Sequence, residues 1–142
     1  MKKLAIISEY NPFHNGHNYI QKKAKEISGA DIIITIMSGD FVQRGELSII
    51  DKYKRANSAL NSADLVIEMP SFISLQSANL FAKKNIEILD KIKIDYLAFG
   101  IENLEEYEFY NCVEKIFKNK DKIDKKIKTF LEEGLSYTKA SY

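Results

Sequence analysis

Lys3-Leu4-Ala5-Ile6-Ile7-Ser8-Glu9-Tyr10-Asn11-Pro12-Phe13-His14-Asn15-Gly16-His17 opens the chain, and its reading decides the fold. Leu4 to Ile7 is a continuous apolar run, the mark of a strand covered on both faces. Residues 9–16 read as a loop. A helix is predicted from about His17 to Ser28, with Ile20, Ala24 and Ile27 on one face and Gly29 as its stop.

The loop carries the chemistry. A helix N-terminus aimed at it offers free backbone N–H groups and the positive end of the macrodipole to an anion. Gly16 has no Cβ, so a nucleotide can approach the backbone there. His14 and His17, three apart, can share one side of the helix start and donate to phosphate oxygens as charge develops. The plainer alternative is a turn with two exposed histidines.

Outward from this turn the pattern repeats. Strands are predicted at Asp31 to Met37, Leu65 to Met69 and Asp95 to Phe99. Ser48 with Asp51 suggests a capping-box start for a second helix whose apolar face is Ile49, Tyr53, Ala56 and Leu60. A third helix is predicted from about Ser74 to Lys91, with Ala78, Phe81, Ala82, Ile86 and Leu89 inward. The remainder reads as helices, with Tyr110, Val113 and Phe117 on one face and Ile123, Ile127, Phe130 and Leu131 on the next. Strands alternating with helices imply a doubly wound parallel sheet, α/β and Rossmann-like, with C-terminal helices. Ligands then bind beyond the carboxyl ends of the strands, where Gly16, Gly39, Gly45 and Gly100 fall.

The composition fits one domain over residues 1–142: 45% hydrophobic, 29% charged. A net charge of +1 is no nucleic-acid footprint by itself. The single cysteine, Cys112, excludes an internal disulfide and reads as buried and inert. A zinc site is disfavoured, because two histidines and one distant cysteine make no ligand set; no metal ligands are assigned. The first apolar run is too short for a signal peptide or a membrane span, so a cytoplasmic protein with no membrane partner is expected. The lysine-rich stretch from Lys115 to Lys128 reads as a solvated helix face.

The loop after the second strand holds Asp40 and Arg44. Arg44 could clamp pyrophosphate or reach toward RNA, and Asp40 could orient a metal-bound water or a histidine, or be a turn residue. The only two arginines, Arg44 and Arg55, fall in one short stretch among nineteen lysines, which bidentate phosphate recognition would explain. Lys52 and Arg55 read as surface charge, Gln76 and Ser77 as helix caps, and Tyr10 and Phe13 as packing.

Glu9 to His17, Ser38-Gly39-Asp40-Phe41-Val42-Gln43-Arg44-Gly45-Glu46, Asp51-Lys52, Arg55-Ala56 and Ala98-Phe99-Gly100-Ile101-Glu102 resemble the tRNA(Met) cytidine acetate ligase family, within the HxGH nucleotidyltransferase superfamily. Leu135-Ser136-Tyr137 resembles the point where that family's next segment begins. The chain departs from the family at Asp40 (usually Asn), Leu47 (usually Pro) and Thr138 (usually Pro). The resemblance implies activation of acetate by ATP to acetyl-adenylate, then acetylation of N4 of the wobble cytidine of elongator tRNA(Met). It implies Mg²⁺ with the ATP, and a longer family chain of which this would be the N-terminal part, with most tRNA contacts elsewhere. It puts His14 and His17 at the phosphates, and Asp40 and Arg44, from the reading of the second loop, join them as catalytic candidates. It places ATP against Ile7, Ser8, Glu9, Tyr10, Asn11, Pro12, Phe13, His14, Asn15, Gly16, His17, Asn18, Tyr19, Ile20 and Gly100. Two alternatives stand beside it: an adenylyl- or cytidylyltransferase acting on a small phosphorylated substrate, with Arg44 and Lys52 at its second phosphate, and a non-catalytic nucleotide-binding fragment.

Overall fold

A computed structural model describes residues 1–43, 45–101 and 105–141. Contacts divide the chain into two compact units, Met1–Gly100 and Ile101–Tyr142.

In the first unit, strands β1 (Lys3–Ser8), β2 (Ile32–Ser38), β3 (Leu65–Met69) and β4 (Tyr96–Ala98) form one parallel sheet in the order β3-β2-β1-β4. Side chains of a strand alternate between faces, and the core follows that period. Leu4, Ile6 and Ile33 pack with Ile20 and Ala24 of helix α1 (Asn15–Ser28) on one face. Ala5, Ile36 and Met69 pack with Phe81, Ile88 and Leu89 of helix α4 (Ala78–Lys91) on the other. The expected doubly wound sheet is observed. The strand order reverses at β1, so the switch point lies beyond the ends of β1 and β4.

The amino ends of the strands are tied by one device used three times. An aspartate just before a strand donates its N–H to the neighbouring strand and accepts an N–H back on its carboxylate. Asp31 pairs in this way with Lys2 (2.9 and 2.6 Å) and Asp95 with Lys3 (3.0 and 2.7 Å). Asp64 pairs with Ile33 (2.9 and 2.7 Å). The Ile33 N–H, and then Lys25, hold the Asp64 carboxyl below its ordinary pKa.

Several helix expectations need correction. Helix α1 begins at Asn15, two residues early, because His14 caps it. Helix α2 (Lys52–Ala59) is capped by Asp51, whose carboxylate accepts the N–H groups of Tyr53 and Lys54 at 2.9 and 3.3 Å; Ser48 takes no part. Its buried residues are Arg55 and Ala59, while Tyr53 and Leu60 are exposed. Ala56 and Ala59 pack with Tyr10, Met37 and Val66, whereas Arg55 meets polar strand-end carbonyls. The predicted third helix is two, α3 (Ser71–Ser74) and α4. Phe81, Asn85, Ile88 and Leu89 turn inward, whereas Ala78, Ala82 and Ile86 are exposed. Ser77 stands at the N-cap of α4 without a side-chain bond, and Gln76 Nε2 donates back to Phe72 O at 2.7 Å, so neither side chain caps that helix.

The second unit contains α5 (Glu106–Lys118), α6 (Lys120–Glu132) and α7 (Tyr137–Ala140). Neither α5 nor α6 has a buried residue. Tyr110, Val113 and Phe117 are exposed, and Ile123, Ile127 and Phe130 are half-buried. Cys112 is exposed, not buried as expected, because α5 presents that side to solvent. No helix among the described residues is long and apolar enough to cross a membrane.

Candidate active site

The turn between β1 and α1 is organised by its two histidines. His14 is the N-cap of α1 in an extended backbone, and its Nδ1 accepts the Gly16 N–H at 3.1 Å. His17 returns the bond: its Nδ1 accepts the His14 N–H at 3.2 Å. This is a capping box built from imidazoles instead of Ser and Glu. The rings stack with centroids 3.7 Å apart. Because each Nδ1 accepts a backbone N–H, each neutral ring carries its proton on Nε2. Both rings line the adjoining cavity, and Nε2–H is the free donor of each neutral ring. Burial, and then the adjacent His14, hold the His17 pKa below the ordinary imidazole range, so His17 is neutral at pH 7.

This corrects one expectation. Three N–H groups of the first helical turn are taken: Gly16 donates to His14 Nδ1, and His17 and Asn18 donate to His14 O at 3.0 and 3.3 Å. An anion here meets imidazole donors in place of those amides. Gly16 has a local reason too. A Cβ there would lie 3.0 Å from the His14 ring, so the capping imidazole needs the space.

The ring of Tyr10 supports the turn from below. Tyr10 is 1% exposed and holds φ +48°, a left-handed conformation costing a bulky residue about 1–3 kcal/mol. Its ring stands edge-on to Phe13 (4.9 Å) and to His17 (4.8 Å). Tyr10 and Phe13 serve in packing, as expected.

Arg55 is the largest departure from the sequence reading. Predicted on the surface, it is 1% exposed. Its guanidinium donates to Glu9 O at the end of β1, to Ser38 O and Gly39 O at the end of β2, and through Nε to Ile50 O at 2.9 Å. A planar fork with five N–H groups spans these carbonyls where an ammonium would not. Burial lowers its pKa, and Asp40, Asp51, Glu9 and Glu68 oppose that shift; arginine stays charged. The scarcity of arginine was a usable signal, but at position 55 the fork meets backbone, not phosphate. The two site loops are joined again by Glu9, whose carboxylate accepts the Gln43 N–H at 2.7 Å, and by Asn11, which accepts the Ile49 N–H at 2.7 Å.

Two cavities open on this turn. One of about 440 Å³, within the range of small-ligand sites, is lined by residues 7–12, His14 and His17, with Gln43 and Phe81. A second, of about 120 Å³, lies at the switch point and is lined by Ile20, Ala98, Phe99 and Gly100, sharing Ile7, Ser8, Tyr10 and His17 with the first. Of the other residues assigned to ATP, Phe13 packs on Tyr10, and Asn18 bonds Ser62. Asn15, Gly16 and Tyr19 are exposed on α1, outside both linings. Asp40 is exposed and pairs with Lys52 Nζ at 3.3 Å, which also reaches Glu68 at 2.9 Å. Arg44 and Glu102 lie outside the described residues. Gln43, Phe81, Ala98 and Phe99 were missed. Phe99, next to Gly100 at a strand end, carried a positional signal, but Phe81 read only as core.

The HIGH Nucleotidyl Transferase family model matches residues 1–142. The chain is 43% identical over 142 residues to the tRNA(Met) cytidine acetate ligase of Listeria monocytogenes, covering 99% of this chain and 36% of that protein. It is 44% identical over 143 residues to the ligase of the same name from Lysinibacillus sphaericus, again covering 36% of it. The chain thus spans a little over a third of the length of these curated relatives. In structure it is similar to Thermotoga maritima TmcAL bound with alpha-thio ATP: TM-score 0.84, 38% identity, 99% of this chain and 34% of that one. A lipopolysaccharide core biosynthesis protein from Thermoplasma volcanium shares the fold alone, at TM-score 0.53 and 19% identity over 82% of this chain and 88% of that one. With the family model matched from end to end, the chain belongs to the HIGH nucleotidyl transferase family, and its relatives there include tRNA(Met) cytidine acetate ligases.

Proposed function

We propose that the turn between β1 and α1 binds ATP and serves the activation step of a tRNA(Met) cytidine acetate ligase. A carboxylate oxygen of acetate attacks the α-phosphorus of ATP, the bond to the β-phosphate bridging oxygen breaks, and acetyl-adenylate and pyrophosphate form. The acetyl group then passes to N4 of the wobble cytidine of elongator tRNA(Met), releasing AMP. The observation that carries this reading is the pair of stacked imidazoles. Their Nδ1 atoms are consumed by backbone, which leaves Nε2–H as the free donor of each ring, and both rings line a cavity of about 440 Å³. Donors fixed before the reaction stabilise charge that develops on the α-phosphate without reorganising.

ATP is placed against residues 7–20 and Gly100, with His14 and His17 at the phosphates. Arg44 is proposed at the pyrophosphate. Asp40 acts through Lys52, its ion-pair partner. Lys52, which the phosphorylated-substrate alternative requires, is already held by Asp40 and Glu68, so the acid-activating reading is preferred. Among the described residues no three His, Cys, Asp or Glu side chains gather to hold a metal. Mg²⁺ is therefore proposed to enter on the triphosphate, with no step assigned to a protein-bound ion. The 142 residues are proposed to be the N-terminal, nucleotide-binding part of a longer cytoplasmic enzyme whose remaining length makes most tRNA contacts.

The test is exchange of labelled pyrophosphate into ATP by the 142-residue chain, with and without acetate. Acetate-dependent exchange supports the reading. ATP binding without exchange means that acid activation does not take place within these residues alone, and acetate-independent exchange favours the nucleotidyltransferase alternative.

A further inference from the structure

Beneath the histidine turn lies a polar chain that the proposed chemistry does not use. Gln21 Nε2 donates to Tyr10 Oη at 2.7 Å, and Tyr10 Oη lies 3.3 Å from Thr35 Oγ1. All three side chains are essentially without solvent contact, Gln21 and Thr35 at 0% exposed. The Gln21 amide donates, so the Tyr10 oxygen accepts there and its own proton is left for Thr35. Gln21 follows His17 by one turn on α1, and Thr35 sits in the middle of β2. The Tyr10 hydroxyl thus ties the helix to the strand, while its ring edge rests on His17.

Three independent features meet at this one residue: a left-handed backbone in a bulky residue, a buried hydroxyl with partners on two elements, and an edge contact with the half-buried histidine. Hydrophobic burial alone would be met by phenylalanine. Backbone strain held in place by surrounding structure points to a positional task, and side chains that orient a site are commonly locked by hydrogen bonds behind it.

We propose that Tyr10 is a positioning residue: anchored by Gln21 and Thr35, its ring holds the His17 imidazole with Nδ1 on the His14 N–H and Nε2–H toward the cavity. Its effect on rate rests on the reading of His17 as a phosphate donor; its effect on ring geometry does not. With the anchor cut, the ring shifts and His17 samples its other tautomer and other rotamers.

The experiment exploits the presence of only two histidines in the chain. The 142-residue protein is labelled with ¹⁵N-histidine, His14→Gln assigns the signals, and wild type is compared with Tyr10→Phe. In wild type His17 is expected to show a single Nε2–H tautomer. In folded Tyr10→Phe the Nδ1–H form is expected to become populated, acetate-dependent pyrophosphate exchange to fall about tenfold in kcat, and KM for ATP to stay within about twofold. A folded Tyr10→Phe with an unchanged His17 tautomer overturns the proposal. A changed tautomer with unchanged kcat in a protein that exchanges upholds the positioning role and removes His17 from the phosphate chemistry. If wild type shows no exchange, acid activation does not take place within these residues alone, and the tautomer signal still decides the positioning role. Should Tyr10→Phe not fold, Thr35→Val cuts the same chain with the ring and hydroxyl retained, and the same signals decide.

Discussion

The two ends of the sheet solve one problem with opposite charges. A strand leaves unpaired N–H groups where it starts and unpaired carbonyls where it stops, and buried backbone groups must find partners. At the amino end, Asp31, Asp64 and Asp95 each cover one N–H of the neighbouring strand. At the carboxyl end a single Arg55 covers carbonyls of Glu9, Ser38, Gly39 and Ile50. The acceptors are local, redundant and partly exposed. The donor is a single buried side chain. At one end each aspartate serves a single N–H, so a defect stays local, whereas at the other end one side chain ties several backbone segments at once, beside the Glu9–Gln43 and Asn11–Ile49 bonds.

The contrast can be broken most forcefully at Arg55. Arg55→Met leaves several buried carbonyls unpaired, each at about 1–3 kcal/mol, so a loss of about 3 kcal/mol or more is expected in urea unfolding, with loss of ATP binding. A variant as stable as wild type would show that water replaces the fork and that the two ends are equivalent.

Next in size is His17→Ala. It removes one proposed donor, so acetate-dependent exchange should fall by about tenfold to a hundredfold. The fold should survive the lost cap, which is worth about 1 kcal/mol. An unchanged exchange rate removes His17 from the mechanism.

Gly16→Ala sharpens the comparison within the turn. Its Cβ would sit 3.0 Å from the His14 ring and push it off the cap. Stability should drop by about 1 kcal/mol, the worth of a lost N-cap, and ATP affinity should fall with it. A gain in helix stability with affinity intact would mean that the ring does not need this space.

The smallest effects come from pH. His17 has a folded pKa below its unfolded value, so the unfolded chain binds the extra proton first. Its contribution is complete above about pH 6.5 and is lost as pH falls from there toward the folded pKa. Asp64 is also depressed, and its contribution is present above its unfolded pKa of about 3.9 and lost as pH falls through the folded one. Stability followed by denaturation from pH 8 to 3 should therefore weaken in two stages, carboxyl end first. His17→Ala should erase the upper stage and Asp64→Asn the lower. A single stage untouched by either substitution would refute the assignment.

The strand–turn–helix order was legible because it rests on local patterns. Predominantly apolar runs marked the strands, Gly29 stopped α1 at φ +60°, and the spacing of His14 and His17 put both rings together. Boundaries set by caps were less legible, since imidazole capping follows no common rule and α1 began two residues early.

By itself the sequence determined the parallel α/β sheet and the place of the site at its carboxyl end, because periodicity and βα order are properties of neighbouring residues. Tertiary structure alone decided that Arg55 is buried, that Tyr10 joins α1 to β2 through Gln21 and Thr35, and that Phe81 lines the cavity. Those facts depend on partners distant in sequence, 11 residues away for Tyr10 and Gln21 and 46 for Arg55 and Glu9. A charged or aromatic side chain reads alike at the surface and in the core until the fold shows which unpaired backbone groups and rings it must meet.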